Sequence, residues 1–347
     1  MKTFKLIAFC IMAVFAGILC SCESKSTEVK SIKIGVTVYR KDDTFIQLLC
    51  TYLEDAIKQK ESATGKKILL NIVDGQSTQA VQDDQVDRFL SKNYSVICVN
   101  VVDRTVAATI INKAKRAGIP VVFFNREPVD EDMRMWDKVY YAGADAAQSG
   151  TIQGQIIYNA YQNTPGLIDR NGDGKIQYVM LEGEQGHQDS LLRTEYSIKF
   201  LTESGIQVEK IANDTANWQR AQATAKMTQW IEQYGDKIEV VFSNNDDMAL
   251  GAIDAIKESQ LQHRPVVVGV DGTPPGLEAV KDGSMLGTVY NDAKTQAKTI
   301  ADLSYALACG QKIPETVHVK NQHYVYIPYK MITKENLSDF EDEKQGE

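Results

Sequence analysis

The chain is short of basic charge, of cysteine and, past residue 20, of any long hydrophobic run, and each shortage removes a class of function. Lysine and arginine number 38 against 46 acidic residues, a formal charge of −8. Without a basic excess to displace phosphate counterions, a nucleic-acid binder is disfavoured. Four histidines, His187, His263, His318 and His323, form no HExxH pair, and no two cysteines beyond residue 22 have zinc-ligand spacing, which argues against metalloprotease chemistry. What is present is ordinary: 43% hydrophobic and 24% charged residues speak against disorder, collagen or coiled coil. A length of 347 residues has room for two domains, each with its own core.

The one long apolar run, residues 6–20, follows Lys2 and Lys5. It is short of the roughly 20 residues a bilayer-spanning helix needs and suits the apolar region of a signal peptide. Leu19-Cys20-Ser21-Cys22 at its end has the form of a bacterial lipobox. Cys22 is then the cleaved and lipidated residue; Cys20 is a poorer match, and an uncut membrane anchor is the alternative. Either way the rest of the chain is exported, expected on the bacterial cell membrane and facing periplasm or exterior. Cleavage removes Lys2 and Lys5, leaving 36 basic against 46 acidic residues, a net −10. The remaining thiols, Cys50, Cys98 and Cys309, are odd in number and cannot form a closed disulfide set. Cys98, within Val96-Ile97-Cys98-Val99, reads as a buried, inert thiol.

After a polar tether, apolar runs alternate with amphipathic helical patterns. Ile32, Ile34, Val36 and Val38 alternate as a strand, and Ile46, Leu49, Cys50, Leu53 and Ile57 form one helix face. Further strands are expected at 68–73, 96–101, 119–124, 176–181, 206–212, 239–243, 266–270 and 285–289. Continuous apolar strands separated by helices imply parallel sheets covered on both faces. Residues 97–125 and 240–271 echo one another in polarity and spacing, which favours two similar α/β units over one large sheet. Asp43 follows the first strand, and Asn125, Asn245 and Asp271 each close a later one. Such residues cap helices and make turns, but the crevice beyond the carboxyl ends of parallel strands is also where ligands bind.

Asp169-Arg170-Asn171-Gly172-Asp173-Gly174-Lys175-Ile176-Gln177 places oxygen side chains at positions one, three, five and nine of an EF-hand-like calcium loop, with glycine at six. Lys175, at seven, would contribute only its backbone carbonyl. Position twelve should be a bidentate glutamate and is Met180, so a further carboxylate has to come from elsewhere, or the loop is only a polar turn. A strand rather than an EF-hand helix follows, which makes the loop a structural clip instead of a calcium sensor.

Several ordered segments carry a resemblance over residues 32–340. They are Ile34-Gly35-Val36-Thr37-Val38-Tyr39 with Asp42-Asp43-Thr44-Phe45, Pro120-Val121-Val122-Phe123-Phe124-Asn125-Arg126-Glu127-Pro128, the calcium loop, Gly183-Glu184-Gln185-Gly186-His187-Gln188-Asp189 with Arg193, and Asp214-Thr215-Ala216-Asn217-Trp218. Ile238-Glu239-Val240-Val241, Asn244-Asn245-Asp246, Gly269-Val270-Asp271 and Asn291-Asp292-Ala293 complete them. Together they resemble the bacterial periplasmic galactose/glucose-binding proteins, type I periplasmic binding proteins that serve ABC sugar transporters and, often, chemotaxis. The resemblance implies an α/β fold of two similar doubly wound, parallel-sheet lobes joined by a three-segment hinge near Gly143, Tyr290 and Ile327. Residues 1–21 would be the signal peptide and 22–31 the tether. Residues 32–143 and 291–326 would form one lobe, 144–290 and 327–340 the other, and 341–347 a tail.

By the same resemblance Asp43, Asn125, His187, Asp189, Arg193, Asn245, Asp271 and Asn291 would hydrogen-bond a pyranose, and Phe45 and Trp218 would sandwich its faces. Asp43 would meet the hydroxyl that distinguishes galactose from glucose. A structural Ca2+ would be held by Asp169, Asn171, Asp173, the Lys175 carbonyl, Gln177 and Glu239, the last supplying the missing carboxylate. The partners implied are D-galactose or D-glucose, ABC permease subunits and a chemoreceptor, for a monomeric protein. Gly272-Thr273-Pro274-Pro275 departs from the family's helix start beside the pocket.

Three rival functions compete with this one. A glycosidase would use a pair among Asp43, Asp189 and Asp271, but neighbouring amides and Arg193 suit holding charge fixed, and no enzyme is expected. A sugar-responsive repressor needs a basic helix-turn-helix where this chain has its apolar leader. A receptor for another monosaccharide, or one feeding a membrane sensor kinase, is the nearer alternative.

Overall fold

The computed structural model describes residues 31–341. The expected signal segment, the lipidation residue Cys22 and nearly all of the tether and tail lie outside the described residues. The first lobe is built on β1 (Ile32–Val38), β2 (Ile68–Asp74), β3 (Val96–Val99), β4 (Val121–Phe124), β5 (Val139–Gly143) and β11 (Tyr324–Tyr326), in the order β11-β5-β4-β3-β1-β2. All its pairings are parallel. Helices α1 (Thr44–Thr64), α2 (Gln79–Ser91), α3 (Ala107–Ala117) and α9 (Ala293–Ala308) cover it. The strands alternate faces: Val96 and Cys98 pack with Leu49 and Leu53 of α1 and Ile300 of α9, and Ile97 and Val99 with Phe89 of α2 and Ile110 of α3. Burial on both faces is why these central strands are apolar throughout. Burial also pushes the Cys98 thiol up to about 12, so it is unreactive.

The second lobe repeats the plan with β6 (Lys175–Glu182), β7 (Gln207–Thr215), β8 (Val240–Ser243), β9 (Val266–Val268), β10 (Gly287–Tyr290) and β12 (Lys330–Thr333), in the order β12-β10-β9-β8-β6-β7. Only β12 runs antiparallel, along β10. Its helices are α4 (Ala146–Asn163), α5 (Gln188–Glu203), α6 (Arg220–Tyr234), α7 (Asp246–Glu258) and α8 (Pro274–Asp282). The chain passes between lobes after β5, after β10 and after β11, so each lobe draws on distant parts of the sequence. The expected fold of two doubly wound lobes with three crossings is the one observed.

Three strands escaped the sequence reading: β5, β11 and β12. Each is at or beside a sheet edge and only three to five residues long, and two are rich in tyrosine. Neither alternation nor a continuous aliphatic run marks them. The departure at Gly272-Thr273-Pro274-Pro275 also has an answer. Thr273 is a helix N-cap whose side chain accepts from the Gly276 N–H, with proline in the first turn of α8.

Asp246, at the start of α7, is fully buried and ties this corner together. It accepts from the Thr273 N–H at 2.8 Å, the Thr273 hydroxyl at 3.1 Å and the Thr288 hydroxyl at 2.6 Å. A Cβ at Gly269 or Gly276 would stand 2.3 or 2.2 Å from its carboxylate. Burial pushes its carboxyl up to about 7 against those hydrogen bonds. The folded group therefore holds its proton to about pH 7, whereas the unfolded one releases it near ~4. The stabilisation is full below pH 4 and is lost as pH rises to 7. Asp246→Asn, which stays neutral, should flatten the fall in melting temperature between pH 5 and pH 8. Parallel wild-type and variant melting curves across that range would contradict this.

Candidate functional site

The carboxyl ends of both sheets face one cleft, and the loops leaving them supply its walls. From the first lobe come Tyr39 and Asp43 after β1, Phe45 and Ile46 in the first turn of α1, and Asn125 and Arg126 after β4. From the second come His187, Asp189 and Arg193 at the start of α5, Trp218 after β7, Asn245 at the start of α7 and Asp271 after β9. The space between the atoms, mouth and open solvent included, is about 340 Å³. Nine of the ten binding residues named from sequence line it. The tenth, Asn291, stands behind the wall and donates from its amide to Asp271 at 3.4 Å, while accepting from Gln296.

Capping and pocket lining turn out to be the same job. Asp43 caps α1 by accepting from the Ile46 N–H at 2.9 Å, and its second oxygen accepts from the Tyr39 hydroxyl at 2.6 Å. Asn245 caps α7 through the Met248 N–H, 3.0 Å away. His187 caps α5, its Nδ1 accepting from the Asp189 N–H at 3.0 Å. Each cap fixes a rotamer and leaves the rest of the polar group turned to the cleft. Asn125 and Trp218 have φ of 58° and 62°, a left-handed conformation that costs a non-glycine residue energy and is held by tertiary contacts. The Tyr141 hydroxyl bonds the Asn125 carbonyl at 2.8 Å and the Asn100 amide its side chain at 3.0 Å.

Arg193 organises the charges. It donates to the Asn244 carbonyl at 2.7 Å, to Asp189 at 3.0 Å and to the Tyr329 hydroxyl at 3.0 Å, and Asp271 lies 3.8 Å away. Its buried Nε has no partner. Burial raises the carboxyls of Asp189 and Asp271, with Arg193 opposing the shift in each. Burial, with Arg126 and Arg193 nearby, holds His187 well below its usual value. His187 is therefore neutral, and because Nδ1 accepts a backbone hydrogen bond its proton sits on Nε2. The wall thus offers carboxylate and amide acceptors beside guanidinium, imidazole and amide donors.

Tyr39, Ile46 and Arg126 line the wall as well, and nothing in the sequence marks Tyr39 or Arg126 as site residues. The Arg126 guanidinium lies 3.6 Å over the Tyr39 ring and pairs with Glu184 of the other lobe at 2.5 Å. Both flank residues that were named, and only their reach in space reveals the role.

The expected metal loop lies between the helical turn Pro165–Ile168 and β6. Asp169 accepts from the Gly172, Asp173 and Gly174 N–H groups. Asn171 and Asp173 each bond Gln177, at 3.0 and 2.9 Å. Glu239, 1% exposed, reaches in from the strand side to accept from the Arg170, Asn171 and Gln177 N–H groups. Asn171 and Asp173 thus meet Gln177 side chain to side chain, Asp169 and Glu239 hold the loop's backbone N–H groups, and the Lys175 N–H bonds Asp173. These are oxygen ligands of the type a hard cation takes, but among the described residues no three carboxylate, histidine or cysteine side chains converge as a metal site.

Comparison with known proteins decides the family. The profile of the periplasmic binding protein domain matches residues 34–312. The chain belongs to this family. Among its relatives, the D-galactose/methyl-galactoside binding periplasmic protein of Haemophilus influenzae is 41% identical over 310 residues, 89% of this chain and 91% of the relative. A putative rhizopine-binding protein of Rhizobium meliloti is 32% identical, over 91% of this chain and 94% of that one. An ABC transporter solute binding protein of Bacillus halodurans, solved with bound myo-inositol, is 29% identical with a TM-score of 0.74, covering 91% of this chain and 99% of that one. This periplasmic binding protein is accordingly a solute-binding protein and not an enzyme, as the fixed, mutually paired charges of its cleft suggest.

Proposed function

We propose that the protein is the extracytoplasmic receptor of an ABC sugar transporter and binds D-galactose or D-glucose between its lobes. The observation that carries this is that Phe45 and Trp218, one from each lobe, line the same pocket as a set of carboxylate, amide, imidazole and guanidinium groups. A pyranose has apolar C–H faces for the aromatic rings and hydroxyls that both donate and accept. Asp43, Asn125, His187, Asp189, Arg193, Asn245 and Asp271 meet those hydroxyls and Asn291 braces Asp271. A hydroxyl left unmatched costs about 1–3 kcal/mol, which is the source of selectivity. The 41% identity to a protein named for D-galactose and methyl-galactoside supports the choice of sugar.

In the same proposal the protein is a monomer, lipidated at Cys22 and held to the membrane, and its sugar-closed form is what the permease, and a chemoreceptor where one is present, recognises. A Ca2+ held by Asp169, Asn171, Asp173, the Lys175 carbonyl, Gln177 and Glu239 neutralises the loop's carboxylates and clips helix to strand.

Thermal denaturation with a panel of D-galactose, D-glucose, D-ribose, D-xylose and myo-inositol tests the sugar. The two hexoses should give the largest rise in melting temperature. A larger rise with a pentose or with myo-inositol, the ligand of the Bacillus halodurans protein, would reassign the ligand while keeping the receptor.

A further inference from the structure

Arg126 and His187, which line the first pocket, also line a second space of about 1020 Å³, mouth and open solvent included. The first lobe contributes Gln79, Asp103 and Arg104 to its walls, and the second contributes Glu184 and Gln188. Two buried polar atoms in those walls have no partner, the Nε of Arg126 and the Oε1 of Gln188. One is a donor and the other an acceptor, so what satisfies both carries hydroxyls. The charges nearby are of both signs. Arg126 pairs with Glu184, Arg104 donates to the Glu127 and Pro128 carbonyls, Glu127 accepts from the Tyr326 hydroxyl and Asp103 from Thr105. Two arginines stand against three carboxyl groups in these walls, so neither sign of charge prevails and the walls suit a neutral guest.

We propose that this space is a second carbohydrate subsite, holding a neutral, hydroxyl-rich unit linked to the sugar that sits between Phe45 and Trp218. The protein then takes up glycosides bearing a second ring as well as free monosaccharide. The inference rests on the monosaccharide reading of the first pocket. Position supports it: the two spaces adjoin at Arg126 and His187, which line both.

Calorimetric titration of the full chain with D-galactose, methyl β-D-galactoside, lactose and melibiose tests it, together with Gln188→Leu. Lactose or melibiose should bind within about tenfold of D-galactose. Gln188→Leu should weaken that disaccharide at least tenfold while leaving D-galactose within about twofold. A second variant, Thr105→Trp, narrows the same space from the other lobe and should act alike. Binding of D-galactose with both disaccharides weaker by a thousandfold or more would overturn the subsite alone. So would equal losses for mono- and disaccharide in Gln188→Leu. Silence with all four sugars would instead fail the monosaccharide reading, and the subsite with it.

Discussion

Arg193→Met should abolish measurable sugar binding and remove a large part of the protein's stability. The Arg193 side chain is 4% exposed and lies within 4 Å of both Asp189 and Asp271. Removing one partner of a buried ion pair costs about 3–5 kcal/mol, because the carboxylates stay behind without compensation. A folded protein has only about 5–15 kcal/mol in hand. The two carboxyls, already raised by burial with Arg193 holding them down, would rise further and take up protons. The variant should therefore regain stability as pH falls, since its folded state then binds more protons than its unfolded state. Arg193→Lys keeps a charge but not the planar fork that serves Asp189, Tyr329 and the Asn244 carbonyl together, and should fall between. Urea melts at pH 5 and pH 8 with parallel titrations read both effects. A methionine variant binding sugar within tenfold of wild type would remove Arg193 from the account.

Chelation of calcium should lower the melting temperature by on the order of 10 °C. A ligand present at a thousand times its dissociation constant stabilises by about 4 kcal/mol, and a chain of this size shifts by about 2–4 °C per kcal/mol. Glu239→Gln should reproduce the loss and abolish the response to chelator, because its buried carboxylate is the one that reaches the loop from outside it. Sugar affinity should change little, since no loop residue lines the cleft. Superimposable melts with and without chelator would dispose of the metal.

What the sequence disclosed follows from periodicity. The strands buried on both faces, such as Val96–Val99 and Val240–Ser243, announce themselves as aliphatic runs, and α1 by Ile46, Leu49, Leu53 and Ile57 on one face. Val139–Gly143, Tyr324–Tyr326 and Lys330–Thr333 stayed hidden because their neighbours in the sheet, not their own composition, make them strands. The cleft was legible where a polar residue ends a strand, as at Asp43, Asn125, Asn245 and Asp271. Whether such a residue caps a helix or faces a ligand looked like a choice; at Asp43 and Asn245 the two coincide. Tyr39 was not legible as a site residue because its hydroxyl acts one helical start away, on Asp43. Arg126 was missed because its partner Glu184 lies in the other lobe, 58 residues on.

The central claim is that the two lobes enclose one hexose, and calorimetric titration of residues 23–347 with D-galactose and D-glucose tests it directly. The account predicts one-to-one binding of both sugars at micromolar concentration or below, about −8 kcal/mol or better. It also predicts that Asp43→Ala weakens both. No heat from either sugar at millimolar concentration would contradict it.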